Sequence, residues 1–274
     1  NDLNQPNGYW NGATCVLRSS NWSFDTMRVS SYSSGTLQFT SPVTYLANNP
    51  WGFYMRGKLS ELDSPGEWYY DKAAQRLYLW PMNGGNPNSM TVEAAVYKNG
   101  VNCFWQRTYL KVQDLEFRHQ TIAGIRNDGA SNVTISGCLF RDLYHGVSSA
   151  GQASIVSGNE FHDTYATAAF LLDHNALVEG NTCNHIALLE GEGESVWGYF
   201  GIRATGTNVV IRGNRLDSIG YIGISAGSNA LVERNVVLHA VALLNDGGSI
   251  AFDHANGMVI QDNIVGDPIG RLDN

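Results

Sequence analysis

The sequence has few charged residues and no long apolar run. Charged residues make up 15% of the 274 positions, and 17 Lys and Arg are outnumbered by 25 Asp and Glu, giving a formal net charge of −8. Affinity for nucleic-acid phosphates depends largely on Lys and Arg, so no nucleic-acid partner is expected. No apolar stretch approaches the roughly 18 residues of a transmembrane helix, so no membrane partner is expected either.

Cysteine is also sparse. The chain has four cysteines and no C-x-x-C spacing, which excludes a disulfide scaffold and gives no indication of zinc. Hydrophobic residues reach 43%, alongside 30 glycines, a composition typical of a globular chain rather than a disordered one. We therefore expect structural, unpaired thiols.

What the sequence does contain is an internal repeat of about 22 residues. From about residue 110 the pattern apolar–x–apolar–x–(Gly/Asp)–(Asn/Cys)–x–apolar returns, as in residues 154–161 and 176–183. The turn position of the pattern is held in successive copies by Leu115, Cys138, Asn159, Asn181, Asn214, Asn235 and Asn263. Alternation with period two predicts a strand, and a second strand in each coil often begins with Gly-Ile. Long steps, such as that from Asn181 to Asn214, are the base period with an insertion.

The repeat predicts an all-β fold over residues 101–274, a right-handed parallel β-helix of the pectate-lyase-like solenoid type. One coil has too few apolar side chains for a core, but stacked coils share one, with strands ~4.8 Å apart. The recurring asparagines are expected to form a hydrogen-bonded ladder. Leucine-rich repeats share the period but need a different leucine pattern and a helical segment in each repeat.

Residues 1–100 do not carry the repeat. They contain five tryptophans and β-rich segments between turn signals, which predicts a small antiparallel β-domain of the barrel or sandwich type. Residues 62–71 followed by residues 76–81 have the pattern of a β-hairpin.

Three segments resemble a known group of proteins: residues 9–13 (YWNGA), 62–80 (LDSPGEWYYD…W) and 245–250 (NDGGSI). They are similar to secreted bacterial right-handed β-helix proteins grouped with polysaccharide-degrading enzymes, including glycoside hydrolases of the family 141 and family 120 kind. The resemblance implies that the β-domain interrupts the helix after its first coils. It also implies that further coils or domains of a larger parent chain, or a partner, cover the ends. The chain opens without signal-peptide features, so a secreted or cell-surface location is implied by the resemblance alone.

Function is expected in columns of equivalent residues on successive coils. Tyr144, Tyr199 and Tyr221 share a turn, where they either stack against sugar rings or cover a corner of the sheet. Beside them, the insertion at residues 188–199 carries Glu190, Glu192, Glu194 and Trp197, and the next insertion carries Asp246 before two glycines.

Paired carboxylates are what glycoside hydrolysis needs. Asp246 is the first candidate for a catalytic carboxylate, with Glu190, Glu192 or Glu194 as its partner. Trp197 and the three tyrosines, with Arg203 and His254, are the candidate substrate-binding residues. The competing interpretations are a solvated acidic loop and turn-forming aspartates.

The expected partner is a polysaccharide or oligosaccharide, and the expected activity is glycoside hydrolysis. A polysaccharide lyase and a non-catalytic glycan-binding or adhesion solenoid remain alternatives, because the fold supports all three. A lyase needs a base and a cation beside a uronate carboxylate, and few basic residues lie in the candidate column. No cofactor or metal is predicted. Calcium on acidic turns is a second possibility, but the glycine-rich calcium-binding nonapeptide is absent.

Overall fold

The computed structural model describes residues 3–45 and 51–269 of the chain. The chain divides into two compact units, residues 1–94 and residues 95–274. The sequence placed this boundary at residue 100.

The first unit is antiparallel. Its strands are listed in spatial order, with each strand beside its neighbour: Thr36–Phe39, Ser23–Ser33, Thr14–Ser20 and Phe53–Arg56. The predicted hairpin is confirmed, because Trp68–Asp71 pairs antiparallel with Arg76–Leu79. Two 3₁₀ turns, Leu59–Glu61 and Pro87–Ser89, complete the regular structure described in this unit. Its core contains Trp10, Ala13, Cys15, Val29 and Tyr32, which bury their side chains against the same sheet.

The second unit is a parallel β-solenoid, as predicted. In its described part, residues 95–269, three sheets of seven strands each run along the stack. Sheet A consists of Asn99–Phe104, Ala123–Asp128, His145–Ser149, Ala169–Leu171, Ile202–Ala204, Ile224–Ala226 and Ile250–Ala251. Sheet B consists of Lys111–Gln113, Thr134–Ser136, Ile155–Ser157, Leu177–Glu179, Val210–Arg212, Leu231–Glu233 and Val259–Gln261. Sheet C consists of Glu116–Arg118, Leu139–Arg141, Glu160–His162, Thr182–Ile186, Arg215–Ile219, Val236–Leu238 and Ile264–Gly266.

Each coil therefore has three strands where the sequence pattern distinguished two. The repeated motif spans a strand of sheet B, a tight turn and a strand of sheet C. The turn is only two residues long and shifts the alternation by one residue, from Ile135 to Cys138, so the eight-residue motif resembles one strand. In the described residues no α-helix is assigned, and none of the helical turns is long or apolar enough to cross a membrane.

The asparagine ladder between sheets B and C is confirmed. The backbone amide of Asn159 donates to Oδ1 of Asn181 at 2.9 Å, and the Asn159 side-chain amide donates to the same oxygen at 3.0 Å. The same pair of bonds joins Asn181 to Asn214 and Asn214 to Asn235. Buried backbone groups need partners, and the ladder supplies one at each turn.

Close packing inside the coil explains the Gly-Ile signature of sheet A. The isoleucine points into the core, and the glycine faces the apolar side chain of sheet C in the same coil. A Cβ on Gly124 would lie 2.7 Å from Cδ1 of Phe140, and one on Gly146 would lie 2.4 Å from Cδ1 of Phe161. Phe140 and Phe161 themselves stack at 4.8 Å between ring centroids. No larger residue than glycine fits while these rings fill the core.

All four cysteines are buried and unpaired, as expected. Burial raises the pKa of the thiols of Cys15, Cys103, Cys138 and Cys183.

Candidate active site

A cleft of about 330 Å³ lies on the outer face of sheet A. Its floor comes from outward-pointing residues at one register position, where Arg126, Ser148 and Phe170 are neighbours on adjacent strands. Arg203 occupies the same register position one strand further on. The position follows the inward apolar residue of each strand, so alternation places these side chains on the solvent side.

The wall of the cleft is the insertion between the Asn181 and Asn214 coils. The Tyr144 hydroxyl donates to the carbonyl oxygen of Gly193 at 3.0 Å, which fixes the insertion to an earlier coil. Burial, with smaller contributions from Glu194 and Glu192, raises the pKa of Tyr144 to about 12. Tyr144 therefore stays protonated at neutral pH and keeps its donor.

Glu194 is the carboxylate of this wall that lines the cleft. Its Oε2 accepts from Oγ1 of Thr167 at 2.7 Å, and its Oε1 accepts from Nη1 of Arg203. Only 8% of its side chain is exposed. Two donors on separate coils hold the carboxylate in one orientation, which a catalytic group requires.

Three aromatic rings hold Arg203 in place. Its guanidinium carbon lies 4.8 Å from the ring centroid of Trp197, 5.0 Å from that of Phe200 and 5.2 Å from that of Phe170. Cation–π contacts of this kind restrict a guanidinium to one position. Arg203 therefore helps to orient Glu194, Trp197 supports Arg203, and neither residue lines the cleft.

A second carboxylate lines the cleft. Both oxygens of Asp128 accept from Nε of Arg126, at 2.9 and 2.8 Å. The side chains of the pair are about one-third exposed. Each guanidinium near the cleft is thus paired with a carboxylate, Arg126 with Asp128 and Arg203 with Glu194.

His145 adds an acceptor to the lining. Its Nδ1 lies 2.9 Å from the carbonyl oxygen of Thr167, and a carbonyl only accepts, so Nδ1 carries the proton. Burial, opposed by the hydrogen bond to Thr167 and by Glu194, lowers the pKa of His145. The ring is therefore neutral near pH 7, and its Nε2 bears a lone pair.

Two parts of the chain match known protein families. Residues 99–265 match the family model for the right-handed β-helix region. The chain belongs to the right-handed β-helix family. Residues 10–82 match the GH141 insertion domain, and no curated protein matches the sequence.

A solved structure titled "Glycoside hydrolase" has a similar fold. Its TM-score is 0.67 at 15% sequence identity, over 97% of this chain and 62% of that one. The chain therefore spans less than two thirds of that protein. At this identity the similarity establishes the fold, and the chemistry of this β-helix has to be argued from its own residues.

The structure does not bring the sequence-predicted carboxylates together as one pair. Glu194 lies in the cleft, whereas Glu190 and Glu192 are half-buried in the same insertion and do not line it. The side chain of Asp246 is exposed and does not line the cleft. Its backbone carbonyl oxygen accepts a hydrogen bond from the Tyr221 hydroxyl at 3.1 Å. Its positive φ of 69° marks it as a turn residue.

Of the two interpretations of the tyrosine column, the burial of Tyr199 and Tyr221 supports the one in which the rings cover a corner of the sheet. Tyr199 is 1% exposed and Tyr221 is 7% exposed, so neither ring is open to a sugar. The Tyr199 hydroxyl accepts from the Gly191 amide at 2.9 Å. These tyrosines cover a corner of the sheet, and each hydroxyl forms a hydrogen bond to one of the two insertions. A phenol can do both because its ring is apolar and its hydroxyl is polar. Of the three, only Tyr144 borders the cleft.

His254 lies away from the cleft lining. Its side chain is 92% exposed and Nδ1 lies 2.7 Å from Oδ1 of the adjacent Asp253. In the described part of the chain, no group of three or more His, Cys, Asp or Glu side chains is placed to hold a metal ion.

Sequence reasoning missed Arg126, Asp128 and His145 as members of one site. The floor of the cleft could have been found from the residue that follows the inward apolar position of each sheet A strand, as Arg126 follows Ile125 and Phe170 follows Ala169. The predicted tyrosine column lies three residues before that position, at a corner of the coil rather than on the outer face of sheet A.

Proposed function

We propose that this β-helix hydrolyses glycosidic bonds of a neutral polysaccharide, with Glu194 and Asp128 as its two carboxyl groups. The observation that carries the proposal is the cleft, because two carboxylates from different coils line one cavity on the outer face of sheet A. Glycoside hydrolysis uses two such groups, one to protonate the leaving oxygen and one to act as nucleophile or to activate water.

The anchoring of Glu194 supports the second of these roles for it. Thr167 and Arg203 both donate to its oxygens, so the contacts suit an ionised carboxylate in a fixed orientation. Asp128 supplies the other carboxyl group, and to act as the proton donor it has to take up a proton and release Nε of Arg126, with which it is paired in the free protein. The separation of the two groups at the sugar determines whether the anomeric configuration is retained or inverted, and the anomer first formed reads this out by proton NMR.

The charges of the cleft support a neutral substrate. Arg126 is paired with Asp128 and Arg203 with Glu194, so the positive and negative charges cancel. A lyase needs a cation to neutralise the uronate carboxylate, and both guanidiniums are already engaged. His145 and the hydroxyl of Ser148 are suited to hydrogen bonds with sugar hydroxyl groups.

The test is the release of reducing sugar from xyloglucan, galactomannan and arabinan by the wild-type chain and four variants. Glu194→Gln and Asp128→Asn are each expected to lower kcat by about 10²–10⁴-fold, the usual contribution of a catalytic acid or base. Glu160→Gln, an exposed change on sheet C, is the matched control. Asp246→Asn is expected to retain activity, because asparagine also tolerates the left-handed backbone of that turn.

Three results would contradict the proposal. One is full activity in Glu194→Gln. Another is an unsaturated, ultraviolet-absorbing product from a uronate polymer, which indicates a lyase. The third is retention of the three polysaccharides on affinity gels without turnover, which indicates a binding module.

A further inference from the structure

A large aromatic side chain stands exposed in the turn that follows the first strand of sheet A. Trp105 is 74% exposed. It lines a cavity of about 510 Å³ together with Gln106, Asp128, Gly129 and Ala150. A tryptophan this exposed forgoes most of the burial that its ring would gain in a core, and its flat apolar face is available to a ligand.

The ring of Trp105 is nevertheless held in place. Gly129 has a φ of +98°, and a Cβ at this residue would lie 2.8 Å from Cδ1 of Trp105. The indole therefore rests against the bare backbone of the glycine, and most of the ring remains open. An indole supported on one side and open on the other is suited to the apolar C–H face of a pyranose.

This cavity adjoins the candidate catalytic cleft. Asp128 and Ala150 line both. The joined groove runs along sheet A from the strand Asn99–Phe104 to the strand Ala169–Leu171, which are separated by three strand-to-strand steps. At ~4.8 Å per step the groove extends over about 14 Å. That length exceeds one sugar ring, so a single sugar leaves part of the groove empty.

We infer that Trp105 is the platform of a second sugar subsite, which takes a pyranose unit of the same neutral glycan chain whose scissile bond lies at Glu194 and Asp128. The inference rests on the proposed function, and it adds that the substrate is a polymer bound across several units. The Gln106 amide, on the same cavity, supplies a donor and an acceptor for the hydroxyls of that unit.

The test uses calorimetric titration with cello-, xylo- and manno-oligosaccharides of two and six units. All proteins carry Glu194→Gln, so that turnover does not interfere. Trp105→Ala is expected to weaken binding of the best hexasaccharide about tenfold, the scale of one aromatic contact. It should change binding of the matching disaccharide less than twofold. Trp105→Phe keeps a ring and should recover most of the affinity. Trp68→Ala removes an equally accessible indole from the antiparallel hairpin and is the matched control.

The subsite inference is overturned if Trp105→Ala binds the hexasaccharide as tightly as its parent, if it weakens both lengths equally, or if none of the oligosaccharides binds. A change in affinity counts only if the thermal unfolding midpoint is unaltered, and Trp105→Phe provides the comparison if the alanine variant unfolds. Failure of the proposed function is a separate result. It would appear as hydrolysis of a polysaccharide by Glu194→Gln, whereas the subsite is tested by the affinity for oligosaccharides.

Discussion

Removing one rung of the asparagine ladder should destabilise the solenoid far more than a surface substitution. Asn181→Ala deletes four hydrogen bonds. Two are accepted from Asn159, one runs from the Asn181 side-chain amide to the carbonyl of Val156, and one runs from the same amide to Oδ1 of Asn214. At a net value of about 1 kcal/mol each, the loss is about 4 kcal/mol, and the Asn159 amide is left buried without its partner.

Urea unfolding followed by circular dichroism measures this loss. Asn102→Ala is the control, because Asn102 is exposed on a strand of sheet A, and its replacement should cost less than about 0.5 kcal/mol. Position 181 does not have a positive φ, so alanine introduces no backbone strain there. A loss below about 1 kcal/mol, or one equal to that of the control, would refute the ladder as a source of stability.

Four further predictions follow from the packing and the titrating groups. Cys138→Asn should stabilise the fold by about 1 kcal/mol, because an amide there can donate to the Val112 carbonyl that Sγ now approaches at 3.9 Å; urea unfolding checks this. Gly124→Ala should cost about 2 kcal/mol through its clash with Phe140, and Phe140→Leu in the same chain should recover part of it, as a double-mutant cycle will show. The pKa of His145 is lowered in the folded state, so the unfolded chain binds the proton first. Its contribution to stability is complete above about pH 6.5 and is lost as pH falls from there toward the folded pKa. The wild type should therefore lose more stability than His145→Gln between neutral and mildly acidic pH. All four thiols should fail to react with Ellman's reagent until urea unfolds the chain, because they are buried.

The solenoid could be predicted because its signal is local and repeated. Every coil carries the same apolar alternation, and five of the seven copies carry asparagine at the turn, so each copy supports the interpretation of the others. Asn159, Asn181, Asn214 and Asn235 recur because each bonds the next. The glycine of Gly-Ile recurs for a steric reason that the sequence alone does not reveal. The phenylalanine with which a larger residue would clash lies on another strand.

The third strand of each coil could not be separated from the second by periodicity. The turn between sheets B and C occupies only two residues, such as Gly158-Asn159, and the strands on either side are three to five residues long, too short to show a period of their own. The outer face of sheet A was harder to recognise from the sequence than the inner face of the repeated motif. Phe170 shows the difficulty, because an apolar residue that faces outward cannot be recognised by its type alone.

The site could be predicted only in part, because it combines a repeated surface with a segment that breaks the repeat. The sequence identified the insertion and included Glu194 among its acids. A sequence pattern alone cannot distinguish three glutamates that are spaced two residues apart. What selects Glu194 is tertiary: Thr167 and Arg203 reach it from two other coils, and the Tyr144 hydroxyl fixes the adjacent Gly193. An insertion held at such points can vary in sequence between its anchors without moving the carboxylate. The stacked coils therefore supply a rigid face and the insertion supplies the wall, and the candidate site lies where hydrogen bonds join the two.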